Sequence, residues 1–330
     1  MKTMIYLMAL AFIFTACTTV PPKEDIIPLE MAMKYMKEIG VTSVSISDFE
    51  YEYGVPRRVG KKILEVKFND KYLITESTIF KEGAVAGKIV YNYNLNGDTL
   101  KVTKYNELDF ELARTEYIYN SVGKVVEKKY FEEGIMFKND VFDYGENGLI
   151  SEFKHYEKNK LDYFIKYTYD SQNREIEWMR YNKEGVPEQK GTSQFNEKGL
   201  KTDSIYYFSG IVDIKVKYDY DNKDRLTMQT IYTGDGNLYS KTEYKYNPIG
   251  QISEKNLYDY QNVLVRKYEY EYEKHGQYKQ VKIYKEGGFL DEIWKFKYDE
   301  ANFLPKHQEF LNNIEVPKKV RRYYFESSKN

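Results

Sequence analysis

The chain has 330 residues, a mean hydropathy of −0.70 and a hydrophobic fraction of 42%, much of it aromatic, with 35 tyrosines and 18 phenylalanines. Fifty basic and 51 acidic side chains leave a formal charge of −1, so the basic stripe that nucleic-acid binding requires is missing and nucleic acid is not an expected partner. A single cysteine excludes an intrachain disulfide and confines thiol chemistry to one position.

Met1-Lys2-Thr3 is a short basic start, and the 11-residue apolar run from Met4 to Phe14 has the length of a signal-peptide core rather than the roughly 20 residues of a membrane-spanning helix. Thr15-Ala16-Cys17 resembles the lipobox of bacterial lipoproteins, although Phe14 stands where leucine is more usual. The resemblance implies cleavage after residue 16 and lipidation of Cys17. Several acyl chains on that residue would hold the mature chain to a membrane. Residues 17–25 read as a tether stiffened by Pro21-Pro22. Within it, Lys23-Glu24-Asp25 is similar to the short charged export signal of Bacteroidetes-type surface lipoproteins and reads equally well as an ordinary linker. The expected location is the cell envelope, at the outer membrane.

Pro28 suits a first helical turn, Leu29, Ala32, Met33, Met36 and Ile39 recur at helical spacing, and Gly40 can end the helix. Residues 26–67 are therefore expected to form an N-terminal cap whose one helix covers the start of a repeat array.

The array runs from 68 to 325, ahead of a short tail at 326–330. Anchor aromatics stand at Phe68, Tyr93, Tyr119, Tyr144, Tyr169, Phe195, Tyr220, Tyr246, Tyr272 and Tyr298, 25 or 26 residues apart, and a second aromatic follows each by twelve residues, from Phe80 to Phe310. Asn or Asp follows the anchor in eight units, for instance Asn120 and Asp221, and such side chains start turns. Four residues after the anchor come Gly97, Gly123, Gly148, Gly199, Gly250 and Gly276, or Asn173, Asp224 and Asn302, types that tolerate positive φ. The pattern predicts a four-residue loop closing on a left-handed residue. Gly83, Gly134, Gly185, Gly210, Gly236 and Gly287 mark a second turn. Each unit is then strand, turn, strand, turn.

Alternation in Ile214 to Tyr220 and Arg266 to Tyr272 assigns one face to aromatic and aliphatic side chains and the other to lysine and glutamate. The expected fold is all-β: an antiparallel meander of about 20 strands in ten two-strand repeats, curved or coiled by accumulated twist. No continuous aliphatic band is present, so an outer-membrane barrel is not expected.

The run Tyr-x-Tyr-Asn/Asp-x-x-Gly, as in Tyr117 to Gly123 and Tyr244 to Gly250, resembles the YD repeats of the RHS family. That resemblance implies a β-strand shell; a counterpart of the toxin domain that some members enclose is not expected in the residues after Phe310.

Chemistry-bearing residues are sparse. His155, His275 and His307 lack the chain spacing of a metal site, and Asp219, Asp221 and Asp224 are interrupted by Lys223 where a calcium loop needs oxygen. No catalytic residue, metal ligand set or cofactor is assigned, and an enzyme is not expected. The expected function is a lipid-anchored binding or scaffold module for a protein or glycan, with Trp178 and Trp294 as candidate stacking residues for a sugar. The alternative is a carbohydrate-active enzyme or RHS-toxin-related shell on the same scaffold.

Overall fold

The computed structural model describes residues 29–301 and 304–328, with side chains from Lys34 onward. Cys17, the signal segment, the tether and Asn302 lie outside the described residues. Beyond one helix, Leu29–Ile39, and a single 3-10 turn at Glu286–Gly288, the described elements are 23 β-strands, one of them the two-residue Val55–Pro56. Antiparallel pairing of sequence neighbours makes an all-β meander. The chain divides into two compact units, one holding residues up to Lys88, Lys245–Lys255 and Arg266 onward, the other Ile89–Tyr244 and Asn256–Val265.

The turn after each anchor follows from one side chain. Asn120 Oδ1 accepts the backbone N–H of Val122 at 3.1 Å and of Lys124 at 2.9 Å, while Gly123 N–H returns to Asn120 carbonyl and Gly123 sits at φ 78°. Asn120 N–H donates to Lys124 carbonyl, so the loop proper is three residues on a G1 bulge, one shorter than the expected four. Asn94, Asp170, Asn196, Asp221 and Asn247 repeat the same pair of side-chain bonds. Gly145 has no side chain and the longer Glu273 does not make the side-chain bonds, yet both keep the backbone bonds of the turn.

The second turn has two forms, and they explain the two repeat lengths. Glu82-Gly83, Glu133-Gly134, Lys158-Asn159 and Ser209-Gly210 are two-residue turns with both residues at positive φ. These four sit in the 25-residue units. In the 26-residue units Asn106, Asn182, Thr233, Asp259 and Lys285 open loops in which the first residue's N–H reaches the carbonyl four residues on. The extra residue is accommodated there.

The tenth unit departs from the register. Asp299 N–H reaches Leu304 carbonyl, one residue further than in its counterparts, which shifts the following strand. Phe310 consequently pairs with Trp294 on the anchor's face, whereas Phe131 pairs with Arg114 on the opposite one. The twelve-residue aromatic series thus changes face at its last member. Leu311, buried opposite Ile293, takes the vacated place.

Residues 26–67 contribute more than a helix. The strand Val41–Glu52 is hydrogen-bonded to Lys61–Phe68 on one side and to the last strand, Pro317–Ser327, on the other. Met36 and Ile39 of the helix pack on Val41, Val44, Ile46 and Leu304, with Phe68, Tyr323 and Phe325 around them. Asp48 locks the first strand to the last: Arg321 grips its two oxygens at 2.8 and 3.1 Å, and Lys319 adds a bond of 3.0 Å.

The second unit is built differently. Its only buried hydrophobic side chains are Tyr91, Val125, Val216 and Tyr244. Its strands are held instead by ladders on both faces. Anchor hydroxyls of Tyr119, Tyr144, Tyr169 and Tyr220 donate to the carbonyls of Thr99, Val125, Ile150 and Lys201 at 2.7 to 2.9 Å. Burial pushes the Tyr119 hydroxyl pKa up to about 12. Cations lie over neighbouring rings, Arg114 over Phe131 and Arg180 over Tyr163, both at 4.0 Å, each contact contributing about 0.5–1 kcal/mol where exposed.

Burial raises the Asp48 carboxyl, but the hydrogen bonds and charges of Arg321 and Lys319 outweigh it and hold the group below its ordinary 3.8. A carboxyl depressed on folding stabilises above its unfolded pKa and loses that contribution as pH falls through the folded value. Asp48→Asn should therefore cost about 2–3 kcal/mol at pH 7, a difference that shrinks as pH falls through the lowered folded-state value and the carboxyl is protonated in both states, read by chemical denaturation as a function of pH.

Candidate functional site

The positions that break the repeat cluster on the anchor face of the second unit. Four residues before the anchor, other units place Thr115, Ile165, Gly191 or Val216; the Tyr144 unit places Asp140. Cross-strand pairing sets Asp140 opposite His155, and His155 opposite Tyr163. His155 Nδ1 lies 2.6 Å from Asp140 Oδ1, and the Tyr130 hydroxyl donates to Asp140 Oδ2 at 2.8 Å. Both partners are largely withdrawn from solvent, with side chains 12% and 13% exposed. Burial, reinforced by the bond to Asp140, drives the Tyr130 hydroxyl far above its ordinary pKa, so it acts as a donor throughout the working range. The His155 ring stacks on Tyr163 with centroids 4.9 Å apart, and the Arg180 guanidinium covers the other neighbourhood of that tyrosine. One imidazole, one carboxylate and two phenols are thus fixed in a polar row, with Lys128 opposite Asp140 and Lys138 opposite Tyr130 on the same face.

Trp178 belongs to the same unit. It pairs with Tyr167 on one side and with Gly191 on the other, and its ring lies directly over that glycine. A Cβ built at Gly191 would stand 2.2 Å from Trp178 Nε1. Here the absent side chain makes room for the neighbour's ring, a cross-strand aromatic laid on glycine. Tyr206 tilts against the indole at 6.4 Å, and Trp178 remains half-buried. Trp294 lies in the first unit, also half-buried, edge-on to Phe310 at 6.0 Å with its Nε1–H donated to Glu292 at 3.0 Å. Both indoles are packed members of the sheet that keep part of their surface open.

The remaining histidines stand elsewhere. His275 is exposed in a turn, and His307 lies between Lys297 and Arg322 on adjacent strands, its pKa lowered by burial.

Exposed apolar side chains also recur at the second turns of the second unit, at two consecutive turns and again three turns on. Leu108, Phe110, Ile135, Phe208 and Ile211 are 58–74% exposed there. Phe110, Leu112 and Arg114 line an open groove with Glu133 and Gly134. The sequence reading did not single out this edge, because a lone apolar residue beside a turn glycine carries no periodic signal.

No protein-family model matches the chain, and no curated protein does. Similar solved structures include the Tc holotoxin pore of Photorhabdus luminescens, at 9% identity and TM-score 0.36 over 84% of this chain and 18% of that one. They also include a porin-like protein from Bacteroides uniformis, at 7% identity and TM-score 0.29 over 87% and 96% of the two chains. A porin-like protein from Bacteroides vulgatus follows at 10% identity and TM-score 0.24, over 74% and 99%. The chain spans less than a fifth of the length of the Tc toxin chain it matches.

Gly191→Ala should displace the Trp178 ring and cost about 1–3 kcal/mol. In a Trp294→Phe background, where Trp178 is the sole indole, its fluorescence should shift to the red; unchanged emission and unchanged stability would show that the ring does not rest on the glycine.

Proposed function

We propose that the chain is a lipid-anchored binding module of the bacterial cell envelope, tethered through Cys17 and holding a protein partner on the second-turn edge of its second unit. The observation that carries this reading is the row of exposed apolar side chains at Leu108, Phe110, Ile135, Phe208 and Ile211. A hydrophobic edge rimmed by Glu111, Arg114 and Glu133 has the make-up of a recognition surface, with apolar anchors at the centre and charge around them. The rigid hairpins beneath it lower the ordering cost of association, since every turn is closed by its own hydrogen bonds. The RHS-like repeat then serves as a display scaffold. Membrane attachment accounts for the leader and the Cys17 motif and keeps the module at one surface.

A second reading rests on Trp178. A half-buried indole packed over glycine beside Tyr206 offers a stacking platform for a sugar ring, and Trp294 offers a second.

The two readings separate in one experiment. The chain is photo-crosslinked from positions 110 and 208 in envelope extracts, and in parallel applied to a glycan array. The protein reading expects one reproducible adduct that is lost in a Phe110→Ser, Ile135→Ser double variant of unchanged fold, with array binding absent. Array binding abolished by Trp178→Ala, without an adduct, would replace it by the glycan reading. Turnover of a polysaccharide by the purified chain would sink both.

A further inference from the structure

The strand–turn–strand around Lys158-Asn159 places three metal-binding side chains together. His155, Glu157 and Asp162 each offer a ligand atom, and these atoms all lie within 4.8 Å of one another. We propose that His155 Nε2 and the carboxylates of Glu157 and Asp162 form a binding site for a divalent transition-metal ion of the zinc class.

Three features of the hairpin build this site. Both Lys158 and Asn159 adopt positive φ, so the turn is two residues long and Glu157 stands directly across from Lys160. Beyond it the register shifts between His155 and Tyr156: Tyr156 faces Leu161 and His155 faces Tyr163, leaving Asp162 as the extra residue of a bulge. A bulge turns a side chain that alternation would send to the other face. Asp162 is thereby brought to the side of His155 and Glu157, two residues apart on one strand.

The imidazole is already oriented for a metal. Asp140 binds Nδ1 at 2.6 Å and is itself held by Tyr130, which fixes the proton on Nδ1 and presents the Nε2 lone pair outward. Nε2 points toward Glu157, whose Oε1 lies 3.9 Å away. Ligand atoms in a tetrahedral shell with bonds of about 2.0–2.1 Å are about 3.4 Å apart, so small rotations of two carboxylates complete the set. Those rotations are available, because the Glu157 side chain is 67% exposed while His155 is 12% exposed. One nitrogen and two carboxylates leave room for water or a partner's side chain as further ligands, and the imidazole favours a transition metal over magnesium or calcium.

The repeat provides an internal comparison. The same three slots hold Tyr130, Glu132 and Phe137 in the preceding hairpin and Arg180, Asn182 and Glu188 in the following one. Neither set combines an imidazole with two carboxylates. The bulge is common to the three hairpins, and the His-Glu-Asp set belongs to this one alone of the three.

The test is calorimetric titration of Zn²⁺ into the full chain in mild detergent, with Cys17→Ser throughout so that no thiol competes, supported by the visible spectrum of the Co²⁺ form. The expected result is saturable binding at one equivalent, weakened at least about tenfold by His155→Gln and again by Glu157→Gln with Asp162→Asn. Asp140→Asn, which leaves all three ligands in place, should weaken it by about tenfold. The carboxylate pair is solvent-facing, so that double variant keeps the test sound if His155→Gln disturbs packing; near-UV circular dichroism checks the fold. His275→Gln should bind as the parent does. Absence of saturable binding, or binding that survives the Glu157 and Asp162 substitutions, would overturn the proposal.

Discussion

One bond pattern underlies most of the array: a side-chain oxygen after the anchor accepting two backbone N–H groups, two and four residues on, with Gly145 and Glu273 keeping only the backbone bonds of the same turn. It commits the chain to a short loop with a left-handed fourth residue and a bulge, and so fixes which residues of the next strand oppose the anchor strand. Because side chains alternate with a period of two, a slip of one residue would send every ring to the other face. The tenth unit shows this in the native chain. Its loop is longer by one residue, and Phe310 lies on the face opposite to that of Phe131.

A register held locally relieves the sheet of the need for a continuous core. The first unit keeps one, around Met36, Val41, Val44, Ile46 and Leu304, where the first and last strands meet and the helix covers them. The second unit has almost none. There each strand relies on its neighbours' side chains, through tyrosine hydroxyls on carbonyls, cations on rings and ion pairs such as Lys154 between Asp143 and Glu152 at 2.8 and 2.7 Å. Each cross-strand pair contributes about 0.2–1 kcal/mol, so it is their repetition that stabilises. Tyrosine suits this role because its ring covers the strand while its hydroxyl satisfies a carbonyl, which explains the composition better than any one ligand would.

Much of the fold could be read from the sequence because its signals are local. Turn residues, positive-φ positions and alternation all act within a few residues, and they place the hairpins correctly. Two things escaped for the same physical reason. The bulges beside the second turns carry no residue signature: the extra residue is Leu112, Phe137, Asp162 or Glu188 in successive hairpins. The strand Val41–Glu52 reads as part of a cap because its partners lie far away in sequence, and nothing local reports a pairing of Asp48 with Arg321. Spacing along the chain does not report the pairing of Asp140 with His155, which are neighbours only across strands.

The repeat makes pattern breaks informative in a way that composition is not. A half-buried carboxylate on an aromatic face is costly unless something offsets it, and Asp140 is met by both His155 and Tyr130. Ile165, Thr115 or Val216 in the same slot needs no such partner, so the scaffold does not require the charge. The exposed Phe110 and Phe208 flank their turns where Lys160 and Glu157 flank the turn of another hairpin, so polar residues fill these places as well. Regular positions answer to the sheet. The departures on the anchor face of the second unit, Asp140 and His155 among them, are the residues that the sheet itself does not call for.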